Sequence, residues 1–249
     1  MTQLRTPQEL EEYRQGLTAR AAVKRPCISV CSGTGCLASG GGEVVAAFRE
    51  QLAAPEREAD VQIRGTGCRG FCERGPVVVL HPAEICYLGV KPADVPEIVA
   101  QSIRGGQVVE RLLFADPATG ERTVREADIP FYRHQQRTLL ASNALLDPAR
   151  IDDYLAIGGY SALVKALFEM SPEGVLEEVK QARLRGRGGA GFPAGSKWEG
   201  SRRAPDRPKY VIVNADEGDP GAFMDRSLLE GNPHSLLEGL VIGGYVIGA

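Results

Sequence analysis

Cys27 to Cys36 reads CISVCSGTGC and Gly65 to Cys72 reads GTGCRGFC, and the fold of the chain turns on these two stretches. Cys31 and Cys36 stand as C-x4-C, and Cys68 and Cys72 as C-x3-C, with 31 residues (37–67) between the pairs. Each pair lies in a loop with glycine close by, Gly33 and Gly35 in one and Gly67 and Gly70 in the other. Glycine lets the backbone turn tightly and aim N–H groups at sulfur, which is what four thiolates around an iron–sulfur core require. Structural zinc also takes four thiolates, but most often from tighter C-x2-C turns. A pair of disulfides is the third reading, and it suits an oxidising compartment better than a cytosolic one. The spacing favours a [2Fe-2S] cluster over [4Fe-4S], whose bacterial ligand runs are compact C-x2-C strings.

Outward from these loops, the chain alternates strand and helix patterns. CISVC is strand-like, and Glu43 to Leu52 places Val44, Val45, Phe48 and Leu52 near helical spacing. A strand is expected over Asp60 to Arg64, then strands PVVVL (76–80) and EICYL (84–88) around a turn at His81-Pro82, and a helix over Val95 to Ile103. The order β-α-β-loop-β-β-α is that of a thioredoxin-like open sheet flanked by helices. Residues 1–25 read as an N-terminal helix and 26–112 as the thioredoxin-like unit. Residues 113–128, with the turn chemistry of Asp116 to Glu121, read as a linker, and 129–249 as a second unit. In that unit Ser171 and Pro172 open a helix as N-cap and first residue. Lys209 to Asn214 (KYVIVN) reads as a buried strand ending in an acidic loop. Pro233 onward reads as an apolar helix that stops uncapped at Ala249, as expected of an incomplete domain.

Bulk properties bound the function. The chain has 249 residues, 43% hydrophobic and 24% charged, with a formal charge of -3. That balance gives no basic footprint for nucleic acid. No signal-peptide or membrane-spanning run is present, so a cytoplasmic, membrane-extrinsic location is expected. All six cysteines fall between residues 27 and 86, and clustered thiols in a cytosolic chain point to metal or redox chemistry. Cys27 and Cys86 sit in expected strands and read as small core residues.

Two further stretches carry chemistry. Arg185 to Trp198 reads RGRGGAGFPAGSKW, which is not a P-loop. Gly186, Gly188, Gly189 and Gly191 offer consecutive backbone N–H groups as an anion nest. Lys197, Arg185 and Arg187 add positive charge, and Phe192 a stacking surface. A solvated loop is the plain alternative. Asn214 to Arg226 reads NADEGDPGAFMDR. Asn214, Asp216, Glu217 and Asp219 are placed to bond hydroxyls and ring N–H groups at a strand end, against the alternative of an Asx- and Gly-rich turn. His81, His134 and His234 read as ordinary structural or surface histidines, and no side chain is assigned as a catalytic acid or base.

C-x4-C…C-x3-C on this element order resembles the thioredoxin-like [2Fe-2S] ferredoxin family, which implies Cys31, Cys36, Cys68 and Cys72 as ligands. RGRGGAGFPAGSKW, NADEGDPGAFMDR and LLEGNPHSLLEG (228–239) together resemble the NADH-binding flavoprotein subunit of complex I and the diaphorase subunits of NAD-linked hydrogenases and formate dehydrogenases. The resemblance runs from about residue 129 to the end. It implies FMN on Gly186, Gly188, Lys197, Asn214, Asp216 and Glu217, and NAD(H) on Phe192 and Asp219. Asp219 stands where complex I subunits usually carry Glu, and Gly200 where they can carry a second aromatic. The family continues into a ubiquitin-like domain and a [4Fe-4S] domain, which lie beyond this sequence. The expected fold is α/β, a thioredoxin-like [2Fe-2S] domain followed by the first part of a Rossmann-like FMN/NAD-binding domain. Both units on one polypeptide resemble the β subunits of NAD-linked hydrogenases or formate dehydrogenases, with a small [2Fe-2S] subunit and a catalytic subunit as implied partners. The implied reaction is hydride transfer between NAD(H) and FMN, then single-electron transfer to iron–sulfur clusters. The competing expectations are a non-enzymatic [2Fe-2S] carrier or docking fragment and a zinc-stabilised interaction module.

Overall fold

The computed structural model describes residues 3–22, 25–53 and 61–249. Met1, Thr2, Val23, Lys24 and Asp60, which fall within the expected first helix and second strand, lie outside the described residues. Helix α1 (Pro7–Ala22) is followed by β1 (Cys27–Cys31), the short α2 (Thr34–Ala38), α3 (Gly41–Leu52), β2 (Gln62–Thr66), β3 (Val78–His81) and β4 (Ile85–Tyr87). The strands form one sheet in the order β2-β1-β3-β4. β1 runs parallel to β2, with Cys31 opposite Thr66, and antiparallel to β3, with Cys27 opposite His81. A crossover through α3 joins parallel β1 and β2, which no tight hairpin can connect.

β1 and β3 are the inner strands, and their alternation divides the core in two. Ile28, Val30, Val78, Leu80 and Tyr87 pack on Val44 and Phe48 of α3 and on Ile98. The opposite face holds Cys31, Val79 and Cys86 with Phe71, Ile129 and Tyr132. Each such apolar side chain, fully buried, contributes roughly 1.5–3 kcal/mol. Gly40 at φ +94° allows the turn from α2 into α3, a conformation that side-chain-bearing residues rarely adopt. After β4 the chain turns through Pro92–Asp94, α4 (Val95–Ile98) and a wider π turn, Val99–Arg104.

Residues 113–128, expected as linker, carry the two-residue pair β5 (Phe114–Ala115) and β6 (Arg122–Thr123). They also meet the main sheet, because Cys86 N–H donates to Val124 O at 2.8 Å. The remainder is helical: α5 (Pro130–Arg133), α6 (Ile151–Ala156), α7 (Ser161–Phe168), α8 (Pro172–Gln181), α9 (Ala194–Arg203), α10 (Met224–Gly231) and α11 (Pro233–Ile247). Ser171 caps α8 as expected, its hydroxyl accepting from Gly174 N–H at 3.1 Å. Glu238 is buried on α11 because it accepts from Tyr154 O–H at 2.5 Å and from the N–H groups of Tyr160 and Leu163. A buried carboxylate so partnered is tolerable where an unpaired one is not.

Two sequence expectations fail here. Residues 209–214 form no strand, and Tyr210 and Ile212 are 74% and 83% exposed. A strand is stable only against a neighbour, and among the described residues from 129 onward no strand ladder exists, only the isolated bridge Arg185–Pro193. The end of α11 is capped and not open: Gly248, at φ +73°, donates its N–H to Gly244 O at 3.0 Å.

The two units are in intimate contact. Tyr13 O–H of α1 donates to Asp152 at 2.9 Å, and Arg14 reaches Gly159 O, so α1 lies on the helical unit. Arg64 of β2 pairs with Asp153 at 3.3 Å and donates to Leu145 O at 2.5 Å. Among the described residues no helix is long and apolar enough to cross a membrane.

Candidate functional site

The end of β1 delivers Cys31, and α2, one turn on, delivers Cys36; both are 1% exposed. Cys68 follows β2 and is buried, while Cys72 opens the turn Cys72–Arg74 and is exposed. Parallel pairing of β1 with β2 sets Cys31 against Thr66, and this register brings the second loop over the first. The Sγ atoms of Cys68 and Cys72 stand 3.9 Å apart. The Cys31 thiol lies within hydrogen-bonding reach of both Cys36 and Cys68. All six cysteines are free thiols. The expected ligand set is thus brought together, and Cys27 and Cys86 stand apart on the strands.

The loops have no room for larger residues. A Cβ on Gly33 would lie 2.7 Å from Cys68 Cβ, one on Gly35 3.0 Å from Cys72 Cβ, and one on Gly75 2.6 Å from Cys36 Sγ. Backbone N–H groups point at sulfur: Gly70 N–H donates to Cys68 Sγ at 3.3 Å, and Val77 and Gly33 act likewise on Cys36 and Cys31. The Cys31 hydrogen bond holds Cys36 below the ordinary thiol range against burial. The same bond, together with burial, pushes Cys31 up. Burial pushes Cys86 up to about 12, as suits a core thiol. Four convergent thiols in a glycine-walled cradle fit a [2Fe-2S] cluster, which would be held by their thiolates. Among the described residues no three His, Cys, Asp or Glu side chains gather about one single-ion position.

Sequence reasoning missed the polar shell of this cradle. Arg69, inside the C-x3-C loop, is 1% exposed. It donates to Glu126 at 2.7 Å and to Ala144 O at 3.2 Å, while Arg137 donates to the Arg69 carbonyl. Asn143, fully buried, accepts Gly67 N–H at 3.0 Å on its backbone carbonyl. Arg69 stands at a variable position of the C-x3-C motif and Asn143 in no motif, and only the packing of the helical unit reveals their roles. His81 bridges Ser29 Oγ at 2.9 Å and Glu84 at 2.7 Å, but Ser29 is 1% exposed, so this chain of bonds presents no accessible nucleophile.

The glycine-rich and acidic loops lie elsewhere. Arg185 to Ala190 are exposed, as are Lys197 and Phe192, the latter 57%. The loop is folded on itself: Arg185 Nε donates to Gly191 O at 2.6 Å and Arg187 to Arg185 O at 3.0 Å. A Cβ on Gly188 or Gly189 would meet nothing within 4 Å. In the acidic loop, Asn214 Oδ1 accepts Asp216 N–H at 3.2 Å, Glu217 accepts Arg226 N–H at 2.7 Å, and Asp219 is exposed. Among the described residues no hydrogen bond joins the two loops.

Family comparison agrees with this division. Residues 17–102 match the thioredoxin-like [2Fe-2S] ferredoxin family, and residues 179–249 match the Nuo51 FMN-binding domain. The chain joins a thioredoxin-like [2Fe-2S] ferredoxin domain to part of a Nuo51 FMN-binding domain. It is 50% identical over 111 residues to an NADH-quinone oxidoreductase subunit of Rhizobium meliloti, covering 45% of this chain and 26% of that one. Over 117 residues it is 50% identical to the NADP-reducing hydrogenase subunit HndC of Solidesulfovibrio fructosivorans, covering 47% and 24%. With the NAD-reducing hydrogenase HoxS subunit alpha of Cupriavidus necator it shares 34% identity over 193 residues, 74% of this chain and 28% of the relative. The chain therefore spans about a quarter of the length of the curated relatives it matches. The solved thioredoxin-like [2Fe-2S] ferredoxin from Aquifex aeolicus is 36% identical, covering 36% of this chain and 90% of that one, with a TM-score of 0.33. For the flavin implied by the second family, the described residues supply donors of the right chemistry but no enclosing wall, and as placed they do not form a closed flavin cradle.

Proposed function

We propose that this chain is an electron-transfer component of an NADH-oxidising or NAD-reducing flavoprotein assembly, holding a [2Fe-2S] cluster on Cys31, Cys36, Cys68 and Cys72. The observation that carries the proposal is the convergence of four thiols from two loops whose glycines leave no space for a Cβ. When bound, the cluster supplies single-electron transfer. The chain's own residues set its surroundings: backbone N–H groups of Gly33, Gly70 and Val77 support negative sulfur, and the Arg69–Glu126 pair holds the loop between Cys68 and Cys72 against the rest of the chain.

The glycine-rich and acidic loops are the chain's share of an FMN and NAD(H) site, with Gly186, Arg187, Gly188, Gly189, Phe192, Lys197, Asn214, Asp216, Glu217 and Asp219 as contact residues. The relatives that are subunits of NAD- and NADP-reducing hydrogenases support an NAD-linked hydrogenase as the parent assembly, with a formate dehydrogenase resting on the motif resemblance alone. A small [2Fe-2S] subunit and a catalytic subunit would be its partners, in the cytoplasm. One observation favours a narrower role for this chain by itself: the glycine loop is open, and residues 209–214 pair with no strand, with Tyr210, Ile212 and Val213 exposed. On that reading the chain carries electrons on the cluster without oxidising NADH.

Iron, acid-labile sulfide and flavin, measured on anaerobically purified protein before and after NADH, separate these outcomes. Two irons with FMN, and bleaching by NADH, would establish the dehydrogenase reading. Two irons and two sulfides without flavin would leave the carrier role, and zinc without sulfide would overturn the cluster.

A further inference from the structure

The cluster loops face solvent at Cys72, but on their Gly67 and Thr34 sides both are seated on α10. Gly67, next to Cys68, presses so closely on this helix that a Cβ there would lie 2.6 Å from Gly231 Cα and 3.0 Å from Asn143 Cβ. Asn143 fills the gap between them. Its backbone carbonyl accepts Gly67 N–H at 3.0 Å, and its Nδ2 donates to Ser227 O of α10 at 3.0 Å. Its Oδ1 is buried without a partner, a cost of desolvation that this position tolerates. On the other loop, Thr34 Oγ1 donates to Glu230 of α10 at 3.2 Å, and Glu230 also pairs with Arg226 at 2.7 Å. Arg226 N–H in turn donates to Glu217 of the acidic loop at 2.7 Å. The [2Fe-2S] domain is therefore not a bead on a linker.

We propose that Asn143 is a positioning residue, clamping the Cys68 loop to α10 so that the helical unit, and not the ferredoxin domain alone, sets the cluster's environment. This rests on the cluster reading given above. The physical route runs through the Gly67 backbone: its N–H is held by Asn143, and its carbonyl, in the next peptide, lies 3.7 Å from Cys31 Sγ with the negative end of its dipole toward the sulfur. A cluster accepts an electron less readily beside such a dipole, and less readily in a dry site. Loosening the clamp admits water and frees the peptide, so the reduction potential rises.

Two substitutions loosen it from opposite sides. Asn143→Ala removes the filler. Gly231→Ala adds a Cβ whose three nearest atoms, the farthest at 3.1 Å, all belong to the Asn143 side chain. The full chain, cluster-loaded, is reduced stepwise with dithionite, and the reduced cluster is followed by electron paramagnetic resonance. Each single variant should shift the g-values and raise the reduced-to-oxidised ratio at a fixed potential severalfold, by moving the Gly67 carbonyl and admitting water. The double variant should lie nearer wild type than Gly231→Ala alone, since the clash is gone. Wild-type g-values and midpoints in both single variants, or strictly additive shifts in the double, would overturn the inference. A wild-type chain without iron and sulfide would instead overturn the cluster reading. Should Asn143→Ala fail to fold, Asn143→Ser, which leaves a small donor in the same seat, is judged by the same criterion.

Discussion

Replacing Glu126 with leucine strands the Arg69 guanidinium, which is 1% exposed and bound to Glu126 at 2.7 Å. Two unit charges about 4 Å apart attract by roughly 4 kcal/mol at an effective dielectric of ~20. Taking both from water costs several kcal/mol, so the intact pair contributes little net stability. Losing one partner is different, because the other stays charged and dry, at a cost of about 3–5 kcal/mol. Arg69 keeps one acceptor, Ala144 O at 3.2 Å, which places Glu126→Leu at the low end, about 3 kcal/mol. The converse change, Arg69→Met, leaves Glu126 at 21% exposure, able to take up water, and should cost about 1–2 kcal/mol. The double variant replaces a charged pair by apolar contact and should lie within about 1 kcal/mol of wild type. Thermal unfolding of the anaerobic protein, followed by circular dichroism, should show Tm lowered by about 6–12 °C in Glu126→Leu and by less in Arg69→Met. The reasoning fails if Arg69→Met is the more damaging of the two, or if the double variant loses the sum of both.

Gly75→Ala should lose most of its iron while keeping its circular dichroism spectrum. Its backbone at φ -74° suits any residue, but the new Cβ would stand 2.6 Å from Cys36 Sγ. Gly16→Ala, with nothing within 4 Å, should keep its iron. Asp94 is pulled up by burial, yet the Lys91 N–H and Arg111 outweigh this and hold it below its ordinary 3.8. A depressed folded pKa stabilises above 3.8 and loses that effect as the pH falls through the lower folded value. Asp94→Asn should therefore cost about 1 kcal/mol in urea titrations at neutral pH, a gap that closes in acid. Ser171→Ala removes the bond to Gly174 N–H and should cost about 1 kcal/mol, read as faster amide exchange in the first turn of α8.

The cysteine spacing and the strand patterns were readable because they are local. CISVC, VVLH and ICY alternate or bury as strands wherever they pair, and Val44, Val45 and Phe48 mark one face of α3. The start of α8 was readable for the same reason, since a cap acts within one turn. KYVIVN carries strand propensity of equal strength, but propensity supplies no neighbour, and Ile212 is exposed where burial was expected. Helix α10 was hidden in a run read for its acidic residues. The glycine and acidic loops are legible as motifs, yet the structure shows them unlinked by hydrogen bonds and open to solvent. Arg69, Glu126 and Asn143 act through partners 57 to 84 positions away, as Arg69 with Glu126 and Asn143 with Ser227, a separation that no window along the sequence spans.

Trp198 is the single tryptophan of the chain, and its ring edge lies 3.5 Å from where Gly243 would carry a Cβ, in the seam between α9 and α11. Indole emission is therefore a one-site optical gauge of that seam, whereas charge-transfer colour from a cluster would report the cluster loops at the end of the sheet. One cuvette can time the loosening of each half separately and show whether they part together or in turn.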